Sequence, residues 1–450
     1  MREPTLLEKI SFGLGDFSSN GIFTFVSTYL MYYYTDSAGL SLGAICTILL
    51  IGRVVDAFSS PLMGIAVDRT NTRWGKCRPF LAIGILPVVI IMVMLFSLPE
   101  NLSDTGKVIL AIALYIVFSI LFAFMNVPYS TMLTVLTDKN EQRISFNLFK
   151  NLGANPGGLF VTASAFSVIA LFSAEEQNGF IIAAILFGII FLIGTLMCVI
   201  NVRERVRVSG NQTAGVKQSL TAVFHNKPWI ILCGVQFLSL TYMMIRNQGT
   251  IYYAKYYLHT QMISSLLLAM MPVASVLTAF ILPAIVKKRR MKFCVLLGNL
   301  LWSAAMIGTW LVGTRIWAVI VFHAIASIGW GLATGMIFVM LSQTIDYGRW
   351  KTGLQPQGMF TSLIAFVQKL GVACAGVVCS QVLNMGRYIA NQEAGESSLL
   401  AIRLLFCGLP LVLSVFVMIL ISAYRLDEIY PQVEAGLRKR EQEQKYNATI

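Results

Sequence analysis

Charge is scarce in this chain. Only 12% of its 450 residues are Asp, Glu, Lys or Arg, while 56% are hydrophobic. An ordinary soluble globular protein carries about twice that share of charge, so that class is excluded. Cysteine appears eight times but never as CxxC or with zinc-ligand spacing. Cys46, Cys198, Cys233, Cys374, Cys379 and Cys407 lie in apolar runs and read as small packing residues. His323 stands alone on an apolar stretch and reads as packing rather than as a proton relay. The first residues, MREPTLLEKISFGLGDF, lack the short apolar core and small-residue cleavage site of a signal peptide. No long soluble domain is appended, which argues against a sensor or scaffold. No stretch matches a phosphate-binding P-loop, so nothing supports ATP-driven chemistry. No cofactor, resident metal or enzymatic activity is expected.

What the chain has instead is apolar segments long enough to cross a bilayer, about twelve of them. They run over 10–34, 40–67, 79–99, 107–135, 143–172, 178–202, 228–257, 261–286, 291–313, 315–343, 357–383 and 399–423. The net charge of +13 is not a nucleic-acid signature, because the basic residues fall on alternate short loops. One side holds Arg69, Arg73, Lys76 and Arg78, then Lys139 and Arg143, then Arg203 to Lys227, then Lys287 to Lys292, then Arg349 and Lys351, then the tail. The opposite loops are acidic or sparse, with Lys255 and Arg387 as the exceptions. This bias puts both termini in the cytoplasm. The longest polar connection, 203–227, divides the segments six and six, and the halves echo each other: TDKNEQR after the fourth segment parallels TIDYGRWK after the tenth.

The most informative stretch is Arg53 to Pro79. Asp56 interrupts a run that is otherwise compatible with lipid, and a carboxylate there costs about 2.5–3.5 kcal/mol on insertion scales. Arg53 and Ser60 lie three residues before it and four after, on the same helix face. Asp68 marks the water boundary, about 18 Å along a helix from Asp56. With a hydrocarbon half-thickness of about 15 Å, Asp56 falls near the midplane, where secondary carriers place substrate and ion sites. A structural Arg–Asp pair is the competing account.

Other polar groups interrupt the spans. Asp16 and Asn20 share a face of the first segment, either lining a cavity or allowing close helix packing; Asp16 lies near the cytoplasmic end, where water reaches it. Asn126 precedes Pro128 in AFMNVPYSTM, roughly 15 Å from the exit of the fourth segment. Lys150, near Asn147, Asn151 and Asn155, either snorkels or faces a polar cavity. Arg246 and Asn247, with Gly249 as a helix breaker, favour snorkelling over ligand contact. Gln368 and Lys369 lie about 18 Å into the eleventh segment, too deep for easy snorkelling. The aromatic runs YLMYYYTD and IYYAKYYL read mainly as a membrane-interface belt.

YLMYYYTD, RVVDAFSSPLMG, DRTNTRWGKCRP, NVPY, DYGRWKTG and VQKLG together resemble the glycoside–pentoside–hexuronide:cation symporters, whose best-known member is the melibiose carrier. The resemblance runs from the first segment through the eleventh. It implies that Asp56 takes the family's cation-site position, with Ser60 where the melibiose carrier has a second Asp. It further implies that Asn20 and Asn126 stand where that carrier binds sugar with Asp, that Ser130 replaces its stacking Trp, and that Lys150 and Lys369 match its basic residues. Melibiose specificity and sodium coupling do not follow from this pattern.

The expected molecule is an all-α membrane protein with twelve transmembrane helices in a major facilitator fold. Its parts are a six-helix half over 1–202, a cytoplasmic loop over 203–227, a second half over 228–424 and a tail over 425–450. The expected function is sugar or glycoside:cation symport by alternating access in a bacterial inner membrane, as a monomer, with a drug–proton antiporter as the alternative. The cation site comprises Asp56, Ser60 and Asn126. The substrate site comprises Asn20, Asn126, Ser130, Lys150, Gln368 and Lys369, whose basic members allow an anionic, hexuronide-like sugar. Asp68, Arg73, Lys76, Asp346 and Arg349 form the cytoplasmic gate. A proton is favoured over sodium, since one carboxylate suffices for it.

Overall fold

The structure is a computed structural model describing residues 4–70, 72–99, 101–137, 140–172, 176–205, 223–286, 290–352 and 357–449. Most of the loop expected over 203–227 lies outside the described residues. The helices are α1 (Leu6–Tyr32), α2 (Leu42–Arg69), α3 (Arg78–Leu95), α4 (Asp104–Val135), α5 (Asn140–Phe172) and α6 (Glu176–Asn201). They continue as α7 (Lys227–Tyr252), α8 (Ile263–Val286), α9 (Met291–Val312), α10 (Ile316–Thr352) and α11 (Gln357–Met385). The last span joins α12 (Glu396–Arg403) to α13 (Leu409–Ser422) through a π-turn at Leu404–Gly408, and a polar helix α14 (Leu426–Thr449) follows. Among the described residues, eleven spans are long and apolar enough to cross a bilayer. The run GLGDFSSN lowers the hydropathy of α1, which completes the twelve.

The helices divide into two compact units. The first holds Met1–Ser209, Met244–Val273 and Val372–Phe406; the second holds Gly210–Met243, Ala274–Gly371 and Cys407–Ile450.

In the first unit α1 packs on α5 and α6, α2 on α4, and α3 on α4 and α6. The α1–α5 seam is made by glycine. A Cβ at Gly13 would lie 2.6 Å from the Phe149 carbonyl oxygen, and one at Gly153 would strike the Gly13 carbonyl. Small residues of this kind let membrane helices approach backbone to backbone. At one end of the unit Glu204 accepts from three consecutive amides at the start of α3: Lys76 at 2.6 Å, Cys77 at 2.7 Å and Arg78 at 2.9 Å. An anion belongs there, because the first amides of a helix have no internal acceptor. Gly75, at φ +112°, makes room, since a Cβ would sit 2.5 Å from the Glu204 carboxyl carbon. Next along the chain, Arg205 pairs with Glu8 at 2.7 Å.

Two π-turns in this unit, Tyr33–Ser37 and Tyr253–Tyr257, extend α1 and α7 by the same device. Ala38 N–H bonds the Tyr33 carbonyl and Leu258 N–H that of Tyr253; Leu40 bonds Tyr34 and Thr260 bonds Ala254 in the same way. The aromatic runs here are not an interface belt: Tyr32, Tyr33, Tyr34, Tyr252 and Tyr253 are all buried. The π-turns fold these rings inward against Phe96, Phe166, Phe180 and Phe406.

Arg246 does not snorkel. It is fully buried, donates to the Phe406 carbonyl at 3.1 Å and lies 4.4 Å from the Phe406 ring centroid. Four residues beyond Phe406 stands Pro410, which has no N–H to offer that carbonyl, and the guanidinium replaces it. Gly249 does not break α7; it lets the helix close on Leu405 and Phe406.

In the second unit α9 packs on α10 and α13. Tyr242 donates to Asn299 at 3.2 Å, and Ser303 and Ser414 share a hydrogen bond at 2.8 Å. α10 runs nine residues past the expected end of its span, to Thr352, because TIDYGRWKT contains no proline and its single glycine, Gly348, weakens a helix without ending it. α14 docks beside this extension: the Lys292 amide donates to Asp427 at 2.7 Å, and Tyr430 donates to Asp346 at 2.9 Å.

The glycine seam gives a direct test. Gly153→Ala is expected to lower the unfolding midpoint of the purified protein, at a cost of about 1–3 kcal/mol from overpacking. Gly43→Ala, also in a helix but with a Cβ that meets nothing within 4 Å, is expected to leave it unchanged or raise it slightly. Equal midpoints would remove the seam as a constraint.

Candidate functional site

Asp56 lies midway along α2, 6% exposed, on the wall of a small cavity. The other walls are Arg53 from α2, Phe23, Val26 and Ser27 from α1, and Tyr115, Phe118, Ser119 and Phe122 from α4. The three-residue spacing of Arg53 and Asp56 brings both onto this one face. The Arg53 guanidinium stands 5.5 Å from the Phe23 centroid, a cation–π distance. Phe118 and Phe122 stack at 5.7 Å and continue the aromatic wall. Tyr115 fits against α2 because residue 52 is glycine; a Cβ there would strike its ring. The cavity thus offers one carboxylate, one guanidinium, hydroxyls and ring faces, a set suited to a polar ligand with apolar faces.

Ser60 is partly buried one turn from Asp56 and donates to its backbone carbonyl at 3.1 Å. Asn126 is partly buried and Ser130 exposed on α4. A second cluster forms where α1, α4 and α5 meet. Tyr129 donates to the Phe12 carbonyl at 2.7 Å and stacks on the Phe12 ring at 5.0 Å. The Lys150 ammonium lies 5.9 Å from the Tyr129 centroid, near enough to Asp16 for the two charges to interact. Asp16 is not wet; it is 6% exposed, and the Asn20 amide donates to its carbonyl at 3.1 Å. Sequence reasoning missed Tyr129, although it is the last letter of NVPY. It also missed Tyr115, Ser119 and Ser27, which look like ordinary span residues.

Gln368 and Lys369 belong to the second unit, each partly buried on α11. Of the expected gate residues, Arg73 is exposed in the turn before α3 and the Lys76 amide is held by Glu204. Asp346 accepts from Tyr430, whose phenol is pushed up to about 12, first by burial and then by this bond. Arg349 is partly buried on the last turns of α10, so both residues are helical rather than in a loop. The Asp68 side chain lies outside the described ones. Among the described residues, no group of three or more His, Cys, Asp or Glu side chains is arranged to hold a metal ion.

Comparison with known proteins agrees with this architecture. The family described as MFS/sugar transport protein matches residues 11–428. An isoprimeverose transporter of Lactiplantibacillus pentosus is 31% identical, over 96% of this chain and 91% of that protein. A putative glycoside/cation symporter of Escherichia coli (strain K12) is 28% identical, over 98% and 95%. A glucuronide carrier protein homolog of the same strain is 29% identical, over 97% and 96%. Among solved structures, the nucleoside transporter NupG superposes with a TM-score of 0.63 at 16% identity, over 94% of this chain and all of that one, a likeness of fold. Sequence and fold together place this chain in the MFS/sugar transport family, among the glycoside–pentoside–hexuronide:cation symporters.

Proposed function

We propose that the protein carries a sugar or glycoside together with a cation across a bacterial inner membrane by alternating access. The observation that carries this reading is the buried Asp56 carboxylate in a ring-walled cavity, within a chain whose relatives are named as glycoside and isoprimeverose carriers. Asp56 binds the cation, helped by neutral oxygens of Ser60 and Asn126. Asn20, Asn126, Ser130 and Lys150 contact the sugar on one half of the carrier, and Gln368 and Lys369 on the other. Residues 1–202 and 228–424 act as the two rocking halves. The end of α2 carrying Asp68, the turn carrying Arg73 and Lys76 and the end of α10 carrying Asp346 and Arg349 form the cytoplasmic gate. Coupling arises because the empty and doubly loaded carriers reorient more readily than the partly loaded ones.

Sodium prefers several oxygen ligands and is helped by more than one anionic one; Asp56 stands with Ser60 where the family's melibiose carrier has a second carboxylate. A proton needs only one carboxylate, so the proposed coupling ion is H⁺. The substrate is a glycoside, with an acidic, hexuronide-like sugar favoured by the basic groups Lys150 and Lys369. Arg53 on the cavity wall repels cationic compounds, which disfavours the drug-antiporter reading.

Three outcomes check this. Asp56→Ala is expected to abolish gradient-driven accumulation of a radiolabelled glycoside in vesicles, with normal membrane insertion, while Asp56→Glu retains part; wild-type accumulation by Asp56→Ala would move the ion site elsewhere. In the same vesicles an imposed pH gradient is expected to drive uptake without sodium, and Ser60→Asp to shift the preference toward sodium; uptake driven by sodium alone at equal pH refutes proton coupling. Lys150→Gln is expected to lower uptake of acidic glycosides more than of neutral ones, and an equal loss for both removes charge recognition from its role.

A further inference from the structure

Lys255 breaks the pattern of basic residues on alternate loops, and its surroundings explain why. Its ammonium has three protons, and all three are directed: to Asp36 Oδ1 at 2.8 Å, to the Tyr32 hydroxyl at 2.8 Å and to Asn391 Oδ1 at 2.9 Å. Asp36 in turn sits at the centre of a ring of donors. Its side chain is fully buried. Oδ1 accepts from Tyr256 as well as Lys255, and Oδ2 accepts from Tyr388 at 2.8 Å and Thr35 at 2.7 Å. Four donors match the roughly four lone-pair sites of a carboxylate. The Asn391 amide closes the ring from outside, donating to the Asp36 carbonyl at 2.7 Å, and Asn391 adopts φ +58° to do so.

The cluster is the end of a seam. Along α1 and α7, Gln248 donates to the Ser27 carbonyl at 3.2 Å, Thr35 and Tyr252 share a hydrogen bond at 2.9 Å, and Asp36 then meets Lys255 and Tyr256. Ser27 is a wall of the Asp56 cavity. Asp36 lies nine residues farther along α1, about 14 Å toward the π-turn end. The seam therefore runs from the cavity wall to the surface, where Asn391 is exposed, and only its last rung is an ion pair. The donors reach Asp36 from three chain exits: the π-turns after α1 and α7 and the turn after α11.

We propose that Asp36, with Lys255, Tyr256 and Tyr388, is the outer latch of the carrier. It closes the α1–α7 seam on the side away from the cytoplasm and must release before the cavity opens outward. This rests on the carrier reading above, in which α1 belongs to one half and α7 and α11 to the other. The tyrosines act as positioning groups: they hold the carboxylate in the one place where the ammonium meets it. A structural pair without gating duty would change stability but not the sidedness of access to Ser27.

The test uses the full chain in native vesicles, with its eight cysteines replaced and Ser27→Cys introduced. A membrane-impermeant maleimide is applied to right-side-out and inside-out vesicles, and labelling is followed with time. Asp36→Asn keeps the side chain's shape and removes its charge. It is expected to speed labelling from outside by about tenfold, the effect of losing roughly one charge-assisted bond, and to slow it from inside. Lys255→Gln, which leaves the tyrosines in place, is expected to do the same to a lesser extent and serves if Asp36→Asn does not insert. Unchanged rates from both sides in both variants overturn the latch. Acceleration only in inside-out vesicles overturns its placement on the outer face. Labelling needs no transport, so a latch that responds in a protein failing every uptake assay separates this inference from the sugar-carrier reading.

Discussion

Lipid offers a polar atom no hydrogen bond, and every polar group this chain buries in its spans must find its partner within the protein. The structure meets that demand repeatedly with contacts far apart in sequence. Arg246 supplies the donor that Pro410 withholds from the Phe406 carbonyl. Asp36 draws four donors, and Lys255 directs all three of its protons into hydrogen bonds. Even at the helix ends the rule holds, where Glu204 takes the amides that α3 leaves over. Asp56 lines a cavity wall together with Arg53.

Legibility in the sequence followed the range of the interaction. The spans could be read because each is a continuous local pattern, and Arg53 with Asp56 because three residues on a helix fix a shared face. The inward turn of the tyrosine runs was not legible: a π-turn leaves no composition signature, and the same rings suit a membrane interface equally well. The Asp36–Lys255 pair spans 219 residues, and its only local sign was a lysine on the wrong side of the charge pattern. The Arg246–Phe406 bond likewise joins residues 160 apart; its clue was a proline four residues past the acceptor. The burial of Asp16 was misjudged because depth along one helix says nothing of the neighbours that cover it, here Tyr129 and Lys150.

The paired π-turns show how a repeat can persist in geometry after fading in sequence. Tyr33–Ser37 and Tyr253–Tyr257 share their backbone bonds, yet Asp36 in one corresponds to Tyr256 in the other. That exchange is what lets the two turns bind each other: equivalent positions carry an acceptor and a donor in place of two like groups.

The clasp at the end of α6 has a mechanical consequence. Glu204 is tied to three amides of α3 and Arg205 to Glu8 of α1, so two neighbouring residues moor the outgoing chain to two different helices. A pull applied beyond Arg205 is borne by these anchors before it reaches α6. The segment following them is thus the natural point for splicing in a reporter domain or for severing the polypeptide into co-expressed fragments, with the first six helices shielded from the load.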